Sequence, residues 1–291
     1  MFSFIIKSLC FFASLISFKS ASRAGEVIGL FLFYVVRLRR KVVLNNLSIA
    51  LPDQREKHYN IAKCSYKSFG ANIVEFLHLS NVSKMSKETV LDAMKIDGWN
   101  NYTRALAKGK GVIVVTAHIG NFDMLASASA LKGVSLGIVS KDLSNSSINS
   151  YWMKIREGYG VKIFKSTDAR GLLKWLKDGN VLGLVTDQRI GESMGGIMVP
   201  FFGRNVWTSP AAANLASHTG AVLLPVVSHR VAPGKHEMLI ETPLNLSFDR
   251  TGKVDITSTM TSVNRQLEKW IKKYPCSWMW LHKRFKNSLN L

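Results

Sequence analysis

The stretch GVIVVTAHIGNFD, residues 111–123, decides how this chain is read. Its first part is an apolar run rich in β-branched residues, too short for a typical helix, and reads as a buried strand over 111–117. Beyond it, MLASASAL at 124–131 reads as a helix with Asn121 at its N-cap. His118 then stands where a strand ends, and Asp123 lies in the first turn of the following helix. The carboxyl ends of strands are where open α/β sheets place their ligands. A neutral imidazole whose tautomer is fixed by a carboxylate serves as a general base near neutral pH. A structural His–Asp pair at a helix start has the same spacing, so spacing alone leaves both readings open.

Working outward, strands and helices alternate. Strands are expected at 134–139, 161–164, 181–186, 221–228 and 237–242. Helices are expected at 148–158, 169–177, 210–219 and 256–273. Upstream, 55–79 reads as a helix from the spacing of Ile61, Phe69, Ile73 and Phe76. The pattern predicts an α/β fold, a mixed and mostly parallel sheet flanked by helices. At 291 residues the chain suffices for one large domain. The expected division is an N-terminal segment over 1–41 and a main domain over 42–291.

A second polar cluster follows the apolar run of VLGLVTDQR, 181–189. In a parallel sheet, Asp187 and Gln188 emerge on the same edge as His118. After a glycine-rich loop, Phe201 and Phe202 are candidates to line an apolar slot, with Arg204 at its mouth for a phosphate. Thr208 or Ser209 is the expected cap of the next helix, with Pro210 in its first turn. Each residue also fits a plain role: two aromatics packed on the core, an aspartate capping a turn.

A net charge of +20, from 39 Lys and Arg against 19 Asp and Glu, implies an anionic partner but does not choose one. The three cysteines, Cys10, Cys64 and Cys276, are scattered and odd in number, which argues against a disulfide framework and for a reducing compartment. Two apolar runs, 1–18 and 27–36, each fall short of the roughly 20 residues of a spanning helix. The basic cluster RLRRK follows at 37–41. The preferred reading is a helical segment lying on an anionic membrane; a cleaved signal peptide and a core helix pair are the alternatives. Near the C-terminal end, WMWLHKRFK at 278–286 mixes aromatics with cations. That mixture suits a membrane-facing lip, single-stranded nucleic acid or a tail anchored on the core. Other chemistries lack their motifs: there is no dinucleotide or P-loop pattern, no G-x-S-x-G elbow and no metal-ligand spacing.

Taken together the chain resembles the bacterial lipid A biosynthesis acyltransferases of the lauroyl/myristoyl type, within the lysophospholipid acyltransferase superfamily. The resemblance runs through RRKVVLNNLSIALP at 39–52, the His118-to-Asp123 box, Asp187–Gln188, VPFFG at 199–203, Thr208, Pro225, and PCSWMWLHKRFK at 275–286. One departure is Asp123, where lipid A enzymes of this type more often carry Glu; Asp is usual in the glycerolipid branch. The resemblance implies a glycerol-3-phosphate acyltransferase-like fold. It also implies transfer of a fatty acyl chain from a thioester, on acyl carrier protein or coenzyme A, to a hydroxyl of a lipid A precursor. His118 would be the general base, with Asp123 orienting it, and no cofactor or metal is needed. Arg156, Asp187, Gln188, Arg189, Phe201, Phe202 and Arg204 are the candidate substrate-binding residues. Partners implied are the acyl thioester, a phosphorylated glycolipid acceptor and the anionic membrane, with no nucleic acid. The implied location is the inner membrane, with the site facing the cytoplasm. Asp123 keeps open a different lipid acceptor, such as a lysophospholipid or another glycolipid. The rival outside enzymology is a non-enzymatic basic binder of membrane or nucleic acid.

Overall fold

Val112–Thr116 is buried along its whole length, the burial of a strand with neighbours on both sides and helices on both faces. The computed structural model describes residues 2–80, 82–140 and 145–290. Met1 and Leu291, the outer ends of the two expected segments, lie outside them. The N-terminal part is helical: α1 (Phe2–Ser14), α2 (Phe18–Phe31), α3 (Arg40–Ala50), α4 (His58–His78) and α5 (Lys84–Ala93). The alternating part runs β1 (Met94–Asp97), α6 (Trp99–Leu106), β2 (Val112–Thr116), α7 (Phe122–Leu131), β3 (Leu136–Ser140), α8 (Ser146–Gly158), β4 (Lys162–Lys165), α9 (Ala169–Lys177) and β5 (Val181–Val185). Then come β6 (Ile197–Phe201), β7 (Arg204–Thr208), α10 (Ala211–Thr219), β8 (Val222–Ala232), β9 (Lys235–Ile240), α11 (Ile256–Lys273) and β10 (Leu289–Asn290).

Seven strands form one sheet in the order β1-β9-β8-β2-β5-β3-β4. All neighbours are parallel except the β8–β9 hairpin, so the mixed, mostly parallel sheet expected from the alternation is what forms. β2 is central, between β5 and β8, and its register with β5 pairs Val112 with Val181 and Thr116 with Val185. The helix expected at 210–219 starts at Ala211 behind Pro210, and Ser209 Oγ accepts the Ala211 amide at 3.3 Å.

Beyond the glycine-rich loop, 197–208 forms the hairpin β6–β7, which the alternation does not predict and which joins β10 in a second sheet, β10-β7-β6. Its tight turn is Phe202–Gly203, with φ of +49° and +68°, the paired positive angles of a two-residue hairpin. A phenylalanine is costly there. Phe202 is held by its amide donating to Glu268 Oε1 at 2.8 Å and by Lys272 lying 5.5 Å over its ring.

The N-terminal segment is corrected. α2 packs on α4 through small residues: Ala21, Ser22, Gly25 and Gly29 are its buried positions. A Cβ on Gly29 would sit 2.0 Å from the Tyr66 carbonyl oxygen, so the two backbones touch. The bulky side chains Val27, Ile28 and Phe31 are left exposed. Among the described residues no helix is long and apolar enough to cross a membrane. At 13 and 14 residues, α1 and α2 each reach only about 20 Å, against roughly 30 Å of hydrocarbon. The expected membrane-associating segment is thus corrected to short helices, α2 packed on α4, none of which crosses a membrane, and an integral inner-membrane placement through them is overturned.

The cysteine reading is also corrected: Cys64 of α4 and Cys276 form a disulfide across a sequence separation of 212. Cys10 is free and buried.

Candidate active site

Because β2 and β5 pair in register, residues two beyond Thr116 and Val185 emerge together. These are His118 and Asp187. The pairing runs one step past the strands, since the Thr186 amide donates to the Thr116 carbonyl at 2.9 Å. His118 Nδ1 then lies 2.8 Å from Asp187 Oδ1. The other carboxylate oxygen, Oδ2, accepts the His118 amide at 3.1 Å and the indole Nε1 of Trp278 at 2.7 Å.

Burial pushes the Asp187 carboxyl up, but the imidazole and the Trp278 indole outweigh it and bring the carboxyl down to about 2. An ionised Asp187 accepts only, so Nδ1 carries the proton it donates, and Nε2 of the neutral ring is left with a lone pair. The side chain of His118 keeps 14% of its surface open to solvent.

Gln188 Nε2 stands 3.2 Å from His118 Nε2 and 3.4 Å from Nδ1. Near-equal distances to both nitrogens put the amide over the ring, since a donor in line with the Nε2 lone pair would stand far from Nδ1. Gln188 therefore leaves the in-plane approach to Nε2 open. The ring of His282 lies roughly parallel to that of His118, 6.1 Å away, and burial lowers its pKa.

Asp123 occupies the predicted first turn of α7, and Asn121 caps that helix by accepting the Met124 amide at 3.0 Å. Its carboxylate is taken by Arg156 Nε at 2.7 Å. Among the described contacts it makes no hydrogen bond to His118. The carboxylate on Nδ1 is that of Asp187, while Asp123, expected to orient the ring, faces Arg156. Arg156 also reaches Ser140 Oγ at 3.3 Å at the end of β3.

The other expected residues are more dispersed. Arg189 Nε donates to the Lys286 carbonyl at 3.1 Å, and Arg204 Nη1 lies 3.5 Å from Ser288 Oγ. Phe201 is fully buried, stacked on Phe285 with Arg284 above it at 4.9 Å, so it lines core rather than a slot. Phe202 is at the hairpin turn.

The 275–286 segment, singled out in the sequence with a core anchor among its alternatives, is what closes the site. Residues 277–279 run beside the His118 loop: the Gly120 amide donates to the Ser277 carbonyl at 2.9 Å and the Met279 amide to the His118 carbonyl at 3.0 Å. Arg284 is fully buried, and among the described residues it makes no ion pair. It donates to the Trp207 carbonyl at 2.6 Å, Thr208 Oγ1 at 2.9 Å and the Gln188 carbonyl at 3.2 Å. Burial lowers it to about 10 against the pull of Asp187. Asn46 of α3, within the RRKVVLNNLSIALP stretch, holds the same segment, donating to the carbonyls of Trp280 at 2.8 Å and His282 at 2.6 Å. The mixture of tryptophans and cations at 278–286 was the available signal; its partners were not readable.

A family model described as bacterial lipid A biosynthesis acyltransferase matches residues 2–287. The chain belongs to this family. Its members carry out acyl transfer, and at family level the acceptor is a lipid. The chain is 25% identical over 269 residues to the lipid A biosynthesis lauroyltransferase of Escherichia coli (strain K12), covering 91% of this chain and 84% of that one. The palmitoleoyltransferase of lipid A biosynthesis from the same organism is 25% identical over 272 residues, covering 90% and 83%. A phosphatidylinositol mannoside acyltransferase of Mycobacterium tuberculosis (strain ATCC 25618 / H37Rv) is 26% identical over 166 residues, covering 55% and 52%.

Proposed function

We propose that this acyltransferase moves a fatty acyl chain from a thioester, on acyl carrier protein or coenzyme A, to a hydroxyl of a phosphorylated lipid A precursor. His118 is the general base. The observation that carries this reading is the bond between His118 Nδ1 and the buried carboxylate of Asp187, which leaves Nε2 as the proton acceptor on the ligand-binding edge of the sheet. Nε2 takes the proton from the acceptor hydroxyl, whose oxygen attacks the thioester carbonyl carbon. The C–S bond breaks as the tetrahedral intermediate collapses, and the imidazolium returns the proton to the departing thiolate. Asp187 stabilises the imidazolium. Asp123 fixes the mostly buried Arg156, whose guanidinium is assigned to an anionic head group. The amide of Gln188, over the His118 ring, is the donor assigned to the developing oxyanion. A net charge of +20 favours the approach of both an acidic carrier protein and a phosphorylated acceptor.

Asp123 and the likeness to a phosphatidylinositol mannoside acyltransferase favour one second reading, in which the acceptor is another glycolipid or a lysophospholipid. The test incubates the purified protein with acyl thioesters and a panel of acceptors, read by mass spectrometry. Acylation of the phosphorylated glucosamine disaccharide supports the proposal. Transfer to lysophosphatidate or a phosphatidylinositol mannoside alone replaces the acceptor and keeps the chemistry. A folded His118→Ala protein is expected to lose measurable turnover; wild-type rates in it sink the mechanism.

A further inference from the structure

Beneath the His118 loop lies a charged cluster that the acyl transfer leaves unused. Glu75, near the C-terminal end of α4, is fully buried. One of its carboxylate oxygens pairs with Arg230 of β8. The other accepts the side-chain amide of Asn121 at 2.9 Å and lies 3.2 Å from Nε2 of His236 on β9. Arg230 also donates to Asn72 Oδ1 at 2.6 Å and Ser22 Oγ at 3.1 Å, while Asn72 donates its amide to the Gly120 carbonyl at 2.7 Å. Two of these contacts therefore end on the loop that carries His118.

A buried ion pair is a poor source of stability, because apolar residues of the same volume often serve as well. What the paired atoms of such a network supply is one geometry; Arg230 Nε and His236 Nδ1, which have no partner among the described residues, take no part in it. Asn121 is where that geometry meets the site: its Oδ1 caps α7 and its Nδ2 faces Glu75, so neither can be exchanged without setting donor against donor. Gly120 adds to the constraint, with φ +62° and a Cβ position 2.3 Å from the Ser228 carbonyl oxygen. The loop thus cannot relax by a change of residue there.

We infer that Glu75, together with Arg230 and Asn72, is a positioning cluster that sets the 118–121 loop, and with it the seating of His118 against Asp187. This rests on His118 acting as the base. The donor pattern supplies the test. In Glu75→Gln, the new amide that keeps its oxygen on Arg230 turns its NH2 toward the NH2 of Asn121. Adding Asn121→Asp restores an acceptor there while still capping Met124. With lauroyl-coenzyme A as donor and thiol release as the readout, Glu75→Gln is expected to lower kcat by about tenfold or more with KM little changed. The Glu75→Gln/Asn121→Asp double variant is expected to recover most of it. A double variant whose melting temperature recovers while kcat stays at the single-variant level overturns the inference, because the cluster then supports only the fold. If Glu75→Gln does not fold, Asn72→Ala, at a half-buried position, takes its place; a reduced kcat without a matching loss of melting temperature supports the inference, and an unchanged kcat overturns it. His118→Ala in the same assay separates the two ideas. Wild-type rates in it defeat the base assignment, whereas its inactivity beside wild-type rates in Glu75→Gln defeats only the cluster.

Discussion

Asp187 grips His118 twice, at the ring Nδ1 through one carboxylate oxygen and at the backbone amide through the other. The carboxylate sets both the tautomer of the ring and the position of the residue. Asp187→Asn puts an amide where the acceptor for Nδ1 stood, and an NH2 facing Nδ1 would favour the wrong tautomer. The expected result is a fall in kcat of about 10² to 10⁴, with KM near wild type, measured with the acceptor that the panel identifies. A variant within threefold of wild type would remove Asp187 from the mechanism.

The Asp123–Arg156 pair is expected to act as one unit. Asp123→Ala leaves Arg156 without its 2.7 Å partner, and Arg156→Ala leaves Asp123 buried and unpaired, so each single change loses the arrangement of both. In a double-mutant cycle on kcat/KM the double variant is expected to cost little more than the worse single, a coupling of about 1–3 kcal/mol. Additive losses would show two independent roles.

Stability is expected to fall in acid in two stages. Burial lowers the pKa of His229, His236 and His282 from 6.5. The unfolded chain therefore binds protons first, and the stability of keeping these rings neutral is complete above pH about 6.5 and lost as pH falls through their folded values. Asp187 and Glu75, brought from 3.8 and 4.5 to about 2 despite their burial, give stability that is present above their unfolded values and lost between those values and about 2. The share of Asp187 is about 2 kcal/mol. Melting temperature against pH should show both declines, and Asp187→Asn should flatten the lower one.

The disulfide joins α4 to the segment that carries Trp278, closing a loop of more than two hundred residues. Cys276→Ser is expected to lower stability by about 2–5 kcal/mol, read from denaturant unfolding. Thiol titration of the denatured protein should find one thiol without reductant and three with it. Three thiols in unreduced protein would contradict the bond.

The parts of the fold that could be read from sequence are those where a local pattern and the tertiary result agree. The apolar runs ending in His118 and Asp187 are strands because both faces are covered, and their parallel register places both residues on one edge. The β6–β7 hairpin was hidden by its turn, where Phe202 stands at a positive φ that its sequence does not advertise and tertiary contacts hold it. The choice between Asp123 and Asp187 as partner of His118 is not local. The nearer carboxylate is drawn off by Arg156, 33 residues further on, and the farther one is delivered by strand pairing. Glu75 and Cys64 lie in a helix whose apolar spacing says nothing of what crosses it. The N-terminal apolar runs read as membrane-seeking because bulk alone was visible; the packing surface of α2 is made of its small residues.

Trp278 stands 91 residues downstream of Asp187, and the carbonyl of Ser277 and the side chain of Arg284 come from the same stretch. Synthesis from the amino end therefore makes His118 and Asp187 long before the groups that brace them. Until residues 277–284 are made, Asp187 lacks its Trp278 donor, the Gly120 amide its Ser277 acceptor and the Gln188 carbonyl its Arg284 donor. In the proposed mechanism, competence for chemistry therefore waits on the 277–284 segment, set by order of synthesis rather than by the strands that bear the reactive groups.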